Sequence, residues 1–170
     1  MNAIDTFVEG FNRVEPIVRA VVEGLNADQL AFRLDDEANT IGWLVWHLSR
    51  VQDDHIADVS GDEQLWTAKG WAERFALPFT PDATGYDQTP DEVSSVRASE
   101  DDLLDYFEVV HAHTVSYLRS LADRDLDRVV DNSFVPAVTL GVRLMSVLAD
   151  ELQHAGQAAF VRGMLRDDEQ

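Results

Sequence analysis

Apolar residues recur every three or four positions in four segments of the chain, the spacing that lines them along one face of an α-helix. These segments lie near residues 5–25, 40–59, 99–121 and 139–165. Thr40 and Ser99 are suited to capping the second and third helices, whereas Pro16 is expected to kink or split the first. Four long helices in one chain predict an all-α fold, a four-helix bundle.

The connection between the second and third predicted helices, residues 61–98, is long and rich in aromatic residues. Trp66, Trp71 and Phe75 follow one another closely, and large aromatic side chains gain much from burial. Connections of this length are usually functional or disordered, and the aromatic content favours order. We therefore expect residues 64–86 to form an ordered crossover that covers one mouth of the bundle.

The length of the chain suits one domain with a hydrophobic core, so residues 1–170 are interpreted as a single domain. The formal net charge of −19 repels phosphate backbones and anionic lipid surfaces, which argues against binding to nucleic acid or to membranes. The sequence has no apolar run long enough to cross a membrane and no signal sequence at its start. A cytoplasmic location is therefore expected.

The chain has no cysteine, so any bound metal must be held by His, Asp or Glu. Helical phase puts His47 at the flank of the inward face of the second helix. On the fourth helix, Glu151 falls near the centre of the inward face, and Asp150 and His154 lie beside it. Either acid has the spacing to meet His154 on one face. Two imidazoles and one carboxylate leave a coordination position open, as in catalytic zinc sites, although other divalent ions suit the same set.

These residues also have interpretations without a metal. His55, near the middle of the apolar face of the second helix, is interpreted as a hydrogen-bonded core residue. Asp150 can be simply the solvated partner of a neighbouring histidine. A buried carboxylate at Glu151 needs a partner, because an unpaired buried charge costs several kcal/mol. Besides a metal or a histidine, Arg50 and Arg143 are available for that role.

A di-iron site of the ferritin type is an alternative, since it uses Glu-x-x-His pairs on two helices. Glu151 with His154 gives one such pair. On the third helix, Glu108 and His111 have the spacing of a second. The further inward acids that this site requires are missing from the first two helices, which makes it the weaker interpretation. His111 and His113 are instead expected to be half-exposed.

Two motifs resemble those of the DinB-like superfamily. Residues 39–48, NTIGWLVWHL, resemble its second-helix pattern NSIGWLLxHL, which carries the first metal-binding histidine. Residues 150–157, DELQHAGQ, resemble its fourth-helix pattern HxxxHxGQ. Residues 64–75 are also similar to a bacterial subgroup, so the resemblance spans nearly the whole chain.

The resemblance implies a four-helix bundle, often a homodimer, that holds a divalent ion with three side chains. By position it assigns His47, Asp150 and His154 as the metal ligands. The second ligand is commonly His, or Glu in the mycothiol-dependent isomerase, and Asp150 is shorter than either. Glu151 is therefore an alternative third ligand. If Asp150 binds the metal, Glu151 is available as a catalytic base or as the partner of an arginine. We expect zinc or nickel as the ion.

Members of this family with known activity are thiol-dependent transferases and isomerases, including mycothiol-dependent maleylpyruvate isomerase. The resemblance implies a metal-dependent S-transferase or isomerase that acts on a small molecule, with a low-molecular-weight thiol such as mycothiol as cofactor. Two other functions stay open. One is a metal-free or degenerate bundle that binds a small ligand or a partner, and the other is a homodimeric structural or stress-response protein without chemistry.

Overall fold

The computed structural model describes residues 1–165, which are mostly helical, with irregular connections and one two-stranded ribbon. In chain order the elements are α1 (Ala3–Val22), α2 (Ala27–Leu30), α3 (Ile41–Ser60), α4 (Leu65–Ala68), α5 (Trp71–Phe75), α6 (Pro90–Ser95), α7 (Glu100–Ser120), a 3₁₀ turn (Asp123–Asp127), β1 (Val129–Asp131), β2 (Val138–Thr139) and α8 (Leu140–Met164). The long helices α1, α3, α7 and α8 confirm the predicted all-α fold. The C-terminal residues 166–170, whose polar composition predicts a frayed tail, lie outside the described residues.

Local sequence sets the ends of the long helices. The side chains of Thr40, Ser99 and Thr139 each accept a hydrogen bond from a backbone N–H in the first turn of α3, α7 and α8. Gly61 ends α3 in the left-handed conformation that glycine adopts without strain. These caps explain why the predicted and observed ends agree within a few residues.

Proline does not divide the first helix. α1 runs continuously through Pro16, so the split that the sequence allowed does not occur. Val14 and Val18, on either side of the proline, are fully buried. Packing of both halves against the same core thus keeps the helix in one piece despite the missing backbone donor.

The four long helices are arranged as a ring around one apolar core. α3 packs against α7 and α8, and α1 packs against the same two helices, so α1 and α3 lie diagonally opposite. Leu44 and Leu48 of α3 and Leu144 and Val147 of α8 are among the fully buried residues of the core. None of the helices within residues 1–165 combines the length and the hydropathy that a membrane crossing would need.

The crossover between α3 and α7 is ordered and packs against these two helices. Trp66, Trp71 and Phe75 are buried, and their rings surround Tyr106 of α7 at centroid distances of 5.1, 5.5 and 5.9 Å. The burial expected for these aromatic residues is therefore confirmed. Tyr86, further along the same segment, stays exposed.

A short antiparallel ribbon, which the sequence analysis did not anticipate, precedes α8. β1 pairs with β2 through Val129 opposite Thr139 and Asp131 opposite Val138. The ribbon sets Asp131 against Arg143 in the first turn of α8, with Arg143 Nη2 3.1 Å from Asp131 Oδ2. The ribbon therefore adds a carboxylate at one end of the α3–α8 seam.

Candidate metal centre

The seam between α3 and α8 brings three potential metal ligands together. His47 from α3 and Asp150 and His154 from α8 each offer one ligand atom, and these atoms all lie within 4.8 Å of one another. They are the three residues that the sequence assigned as ligands. Within residues 1–165, no other group of three or more His, Asp or Glu side chains converges in this way.

The orientation of the His47 ring is fixed by the crossover. Its Nδ1 atom lies 2.5 Å from the carbonyl oxygen of Thr84, so Nδ1 carries the proton and donates it. Nε2 is then left unprotonated with its lone pair free. The ring stacks on Trp43 at a centroid distance of 4.5 Å, and Tyr86 meets it edge-on at 5.3 Å. Burial lowers the pKa of His47 below the ordinary value, which favours the neutral, metal-binding form.

Gly85 allows the crossover backbone to approach this closely. Its φ of 104° lies outside the range of ordinary L-residues, and a Cβ atom placed there would stand 2.5 Å from Nδ1 of His47. The same Cβ would stand 3.1 Å from the ring of Trp43. Both the backbone conformation and the available space therefore require glycine at this position.

The second imidazole is oriented in the same manner by its own helix. Nδ1 of His154 lies 2.8 Å from Oε1 of Gln157, one turn later, and Nε2 lies 3.4 Å from Oδ1 of Asp150. Burial alone would lower the pKa of His154. The hydrogen bonds to Asp150 and Gln157 and the negative charge of Asp150 outweigh it and raise the pKa. With Nδ1–H donated to Gln157, Nε2 faces the cluster.

The donor set fits a divalent ion. Oδ2 of Asp150 is buried and has no hydrogen-bond partner, an unusual state for a carboxylate oxygen. It belongs to the same cluster as two imidazoles whose Nδ1 atoms are already engaged. Histidines that bind metals characteristically donate their other ring N–H to a carbonyl or carboxylate group in this way. Two neutral imidazoles and one carboxylate suit zinc, nickel or a related ion and leave room for a further ligand.

Glu151 lies apart from this cluster. Its side chain is 1% exposed, and neither carboxylate oxygen has a hydrogen-bond partner among the described residues. Burial, followed by the charge of Asp150, raises its pKa well above the ordinary value, which favours the neutral acid over the carboxylate. Successive helical residues differ by about 100° in direction, so Glu151 points to the bundle interior whereas Asp150 points to the flank facing α3.

Neither candidate arginine pairs with Glu151, so the alternative of an arginine partner is wrong. Arg50 donates to Ala83 O at 3.1 Å and to Gln64 Oε1 at 2.9 Å. Arg143 donates to Nδ1 of His55 at 3.1 Å and pairs with the ribbon. Each guanidinium is held by the crossover or the ribbon, whose positions the sequence analysis did not fix.

A buried ion pair that the sequence analysis missed anchors the crossover to α3. Asp53, fully buried, accepts backbone hydrogen bonds from Leu65 at 2.8 Å and Trp66 at 2.7 Å, and a third from the hydroxyl of Tyr106 at 2.8 Å. Nη1 of Arg50 lies 3.5 Å from its Oδ2. The only available signal was an Arg and an Asp three residues apart on a helix, which also describes many surface pairs.

The remaining histidines lie elsewhere. His55 accepts a hydrogen bond from Arg143, as expected, but it is only partly buried and lies at the edge of the core instead of inside it. Nε2 of His111 lies 3.1 Å from Asn12, and Nε2 of His113 lies 3.1 Å from Asp62; both rings are half-buried, as expected. Glu108 pairs with Arg19 on α1. The second Glu-x-x-His pair therefore does not join the first, which removes the geometric basis for a di-iron site.

Known proteins are similar to this chain over the helices that carry the candidate metal ligands. The sequence profile of the DinB superfamily matches residues 11–158. The crystal structure of a conserved protein from Enterococcus faecalis is 28% identical in sequence, with a TM-score of 0.90, over 97% of this chain and 98% of that chain. No curated protein has a significant match. The similarities thus include both helices that carry the cluster and the crossover between them.

Proposed function

Because the chain belongs to the DinB superfamily, we propose that it is a divalent-metal-dependent enzyme whose ion is held by His47, Asp150 and His154. One observation carries the proposal. The buried, unpartnered Oδ2 of Asp150 belongs to a cluster with two imidazoles whose Nδ1 atoms are already engaged. A buried carboxylate oxygen without a partner, beside two imidazoles held through their other nitrogen, supports a cation as the group that completes the set.

The chemistry that suits this centre is thiol activation. A bound divalent ion lowers the pKa of a coordinated thiol and keeps it as a thiolate at neutral pH. The chain has no cysteine, so the sulfur nucleophile must come from another molecule. We therefore propose an S-transferase or isomerase that uses zinc or nickel and a mycothiol-type thiol to act on a small electrophilic substrate. A cytoplasmic location, where such thiols stay reduced, is part of this proposal.

The chain's own residues orient the donors and shape the approach to them. Thr84 and Gln157 hold the two imidazole rings through Nδ1, and Trp43 excludes water from one face of His47. The exposed ring of Tyr86 stands beside His47 and is the crossover side chain best placed to meet a bound substrate. A catalytic role for Glu151 stays a prediction, and burial, which raises the pKa of its carboxyl group, favours proton donation as that role.

Metal analysis combined with a transfer assay tests the proposal. Protein purified without a histidine tag should contain close to one zinc or nickel ion per chain. It should also transfer mycothiol to an electrophilic substrate, with the new carbon–sulfur bond replacing the bond to the leaving group. His47→Ala should lose both the metal and the transfer. If the stripped wild type binds Zn²⁺, Ni²⁺ and Mn²⁺ only in the millimolar range or above, the metalloenzyme proposal fails.

One observation fits the second candidate, a bundle without a metal. Asp150 and His154 lie 3.4 Å apart, so they can form an ion pair when the imidazole is protonated. In that case the cluster stabilises the α3–α8 seam, and removal of either partner should lower the melting temperature even in the presence of a chelator. The metalloenzyme proposal expects instead that the chelator itself destabilises the wild type.

A further inference from the structure

A small cavity lies within the crossover, beside Trp46 of α3. Its volume is about 210 Å³, and the side chains of Trp46, Trp66 and Phe79 form much of its wall. The ring of Trp46 lies 6.3 Å from that of Trp66 and 5.7 Å from that of Phe79, measured between centroids. None of the three candidate metal ligands lines it. Its aromatic, mostly apolar wall is typical of sites that bind small molecules.

One polar group of this wall has no partner. The side chain of Trp46 is buried, and its indole N–H has no hydrogen-bond acceptor among residues 1–165. A buried indole N–H normally donates to an acceptor, and leaving it unsatisfied costs free energy. Because Trp46 lines the cavity, a molecule bound there can supply the missing acceptor.

We propose that this cavity, the crossover cavity, binds a small, neutral aromatic molecule that carries one hydrogen-bond acceptor such as a ketone oxygen. Size supports this class of ligand. An apolar cavity of about 150 Å³ accepts benzene, so a volume of about 210 Å³ has room for a ring with a short substituent. A water molecule, with about 30 Å³, could satisfy the indole N–H but would leave most of the aromatic wall uncovered. The proposal is independent of the metalloenzyme function.

Charge around the crossover cavity disfavours an anionic ligand. Glu73 is exposed and lines the cavity, and the net charge of the chain is −19. The guanidinium group of Arg50 lies 5.0 Å from the ring centroid of Trp66, but it is already paired with Asp53 and with acceptors of the crossover. A carboxylate would therefore be repelled, whereas a neutral carbonyl oxygen can accept the hydrogen bond from Trp46.

The wall of the crossover cavity continues into the loop that orients His47. Ala83 lines the cavity, and its carbonyl oxygen accepts a hydrogen bond from Nε of Arg50 at 3.1 Å. The next residue, Thr84, accepts the hydrogen bond from His47. A ligand that packs against Ala83 should therefore stabilise the folded conformation of this part of the crossover.

Calorimetric titration of the full chain tests the site, with a chelator present so that the probes cannot bind to a metal ion. Three probes are compared: acetophenone, which has a ring and a ketone oxygen; toluene, which lacks an acceptor; and benzoate, which is anionic. Acetophenone should bind with a dissociation constant below about 1 mM, and benzoate should bind at least about tenfold more weakly. A wild type that does not bind acetophenone in this range, or that binds benzoate as tightly, would overturn the proposal.

Substitution of Trp46 tests the hydrogen bond. Trp46→Phe keeps an aromatic ring but removes the N–H, so the affinity for acetophenone should fall at least about fivefold relative to the affinity for toluene, the effect of one ordinary hydrogen bond. Trp71→Phe is the matched control, because Trp71 is also buried but does not line the cavity, and both affinities should match the wild type. An equal loss for both probes in Trp46→Phe would show that only packing was lost, which contradicts the proposal.

Two further measurements locate the ligand without the Trp46 variant. Ala72→Leu fills the cavity from α5 and should abolish the binding of acetophenone and toluene, while circular dichroism confirms that the variant is folded. Saturating acetophenone should also slow proteolysis of the wild type between Trp66 and Phe79, because the ligand opposes local opening of the crossover. If Ala72→Leu binds acetophenone like the wild type, or if the cleavage rate does not change, the ligand binds elsewhere and the proposal is overturned.

Discussion

The imidazole of His47 donates its Nδ1–H to the carbonyl oxygen of Thr84 across 2.5 Å, so a loop that follows α3 by more than twenty residues decides which nitrogen of that ring is free. The first candidate ligand therefore depends on the folding of the crossover as well as on its own helix. The second imidazole depends only on Gln157 of the same helix. Substitutions that disturb the crossover should therefore affect His47, whereas the orientation of His154 should depend on α8 alone.

Removal of either imidazole should abolish metal binding. In His47→Ala and His154→Ala only two ligands remain, too few for a tight site of this type. Calorimetric titration of metal-stripped protein with Zn²⁺, Ni²⁺ and Mn²⁺ measures the effect. His113→Ala is the control, since His113 contacts Asp62 outside the cluster, and its affinity should match that of the wild type. Equal binding by all three variants would contradict the assigned ligands.

Substitutions of the two acids on α8 should have different effects on metal affinity. Asp150→Asn removes the charged ligand from the cluster and should weaken metal binding by at least about tenfold, a typical effect even for outer partners of a ligand. Glu151→Gln should leave metal affinity unchanged, because Glu151 lies outside the cluster. If Glu151→Gln loses turnover while keeping its metal, Glu151 is a proton donor. The opposite pattern of metal affinities would make Glu151 the third ligand.

Acid should weaken metal binding in two stages. The pKa of His154 is raised, so its proton competes with the metal first as the pH falls toward and below the ordinary histidine value. The pKa of His47 is lowered by burial, so His47 competes only at more acidic pH. The apparent dissociation constant of the metal should therefore rise as the pH falls. It should rise about tenfold per pH unit while only His154 takes up a proton, and more steeply once His47 does so as well. An affinity that does not change with pH would argue against imidazole ligands.

A methyl group at Gly85 should disturb the metal centre. Gly85→Ala places Cβ against His47 and Trp43 and should reduce both metal affinity and stability, the latter by about 1–3 kcal/mol. Gly61→Ala is the matched control, because Gly61 also has a positive φ but no atom within 4 Å of the added Cβ. Gly61→Ala should lower stability through backbone strain and should keep the metal affinity of the wild type. Equal metal affinities in the two variants would show that metal binding does not depend on the close approach of the crossover backbone to His47.

Loss of the buried carboxylate on α3 should release the crossover. Asp53→Ala leaves Arg50 buried without its ion partner and removes the acceptor for Leu65 and Trp66, at a cost of about 3–5 kcal/mol. Limited proteolysis should then cut between Trp66 and Phe79, a stretch that we expect to resist cleavage in the wild type. Asp58→Ala, an exposed change on the same helix, should keep the wild-type pattern. Rapid cleavage of the native wild type would show that the crossover is loose.

The sequence by itself determined the four long helices and the residues that share their faces. Helical phase and capping are local properties, so Thr40 and Ser99 mark starts of helices without knowledge of the fold. Phase also put Asp150 and His154 on one flank of α8, where the structure has them. The resemblance of two short motifs then indicated His47 as the partner from the other helix.

Tertiary structure decided what these residues contact. Thr84 reaches His47, Asp53 holds the start of α4, and Glu151 has neither arginine beside it. Each of these facts depends on where a long connection lies on the bundle. Many loop paths are compatible with the same helical pattern, and burial of Trp66 and Trp71 against α7 selects one of them. Local periodicity and the two motifs therefore indicated the candidate ligands, whereas long-range packing decided which groups orient them.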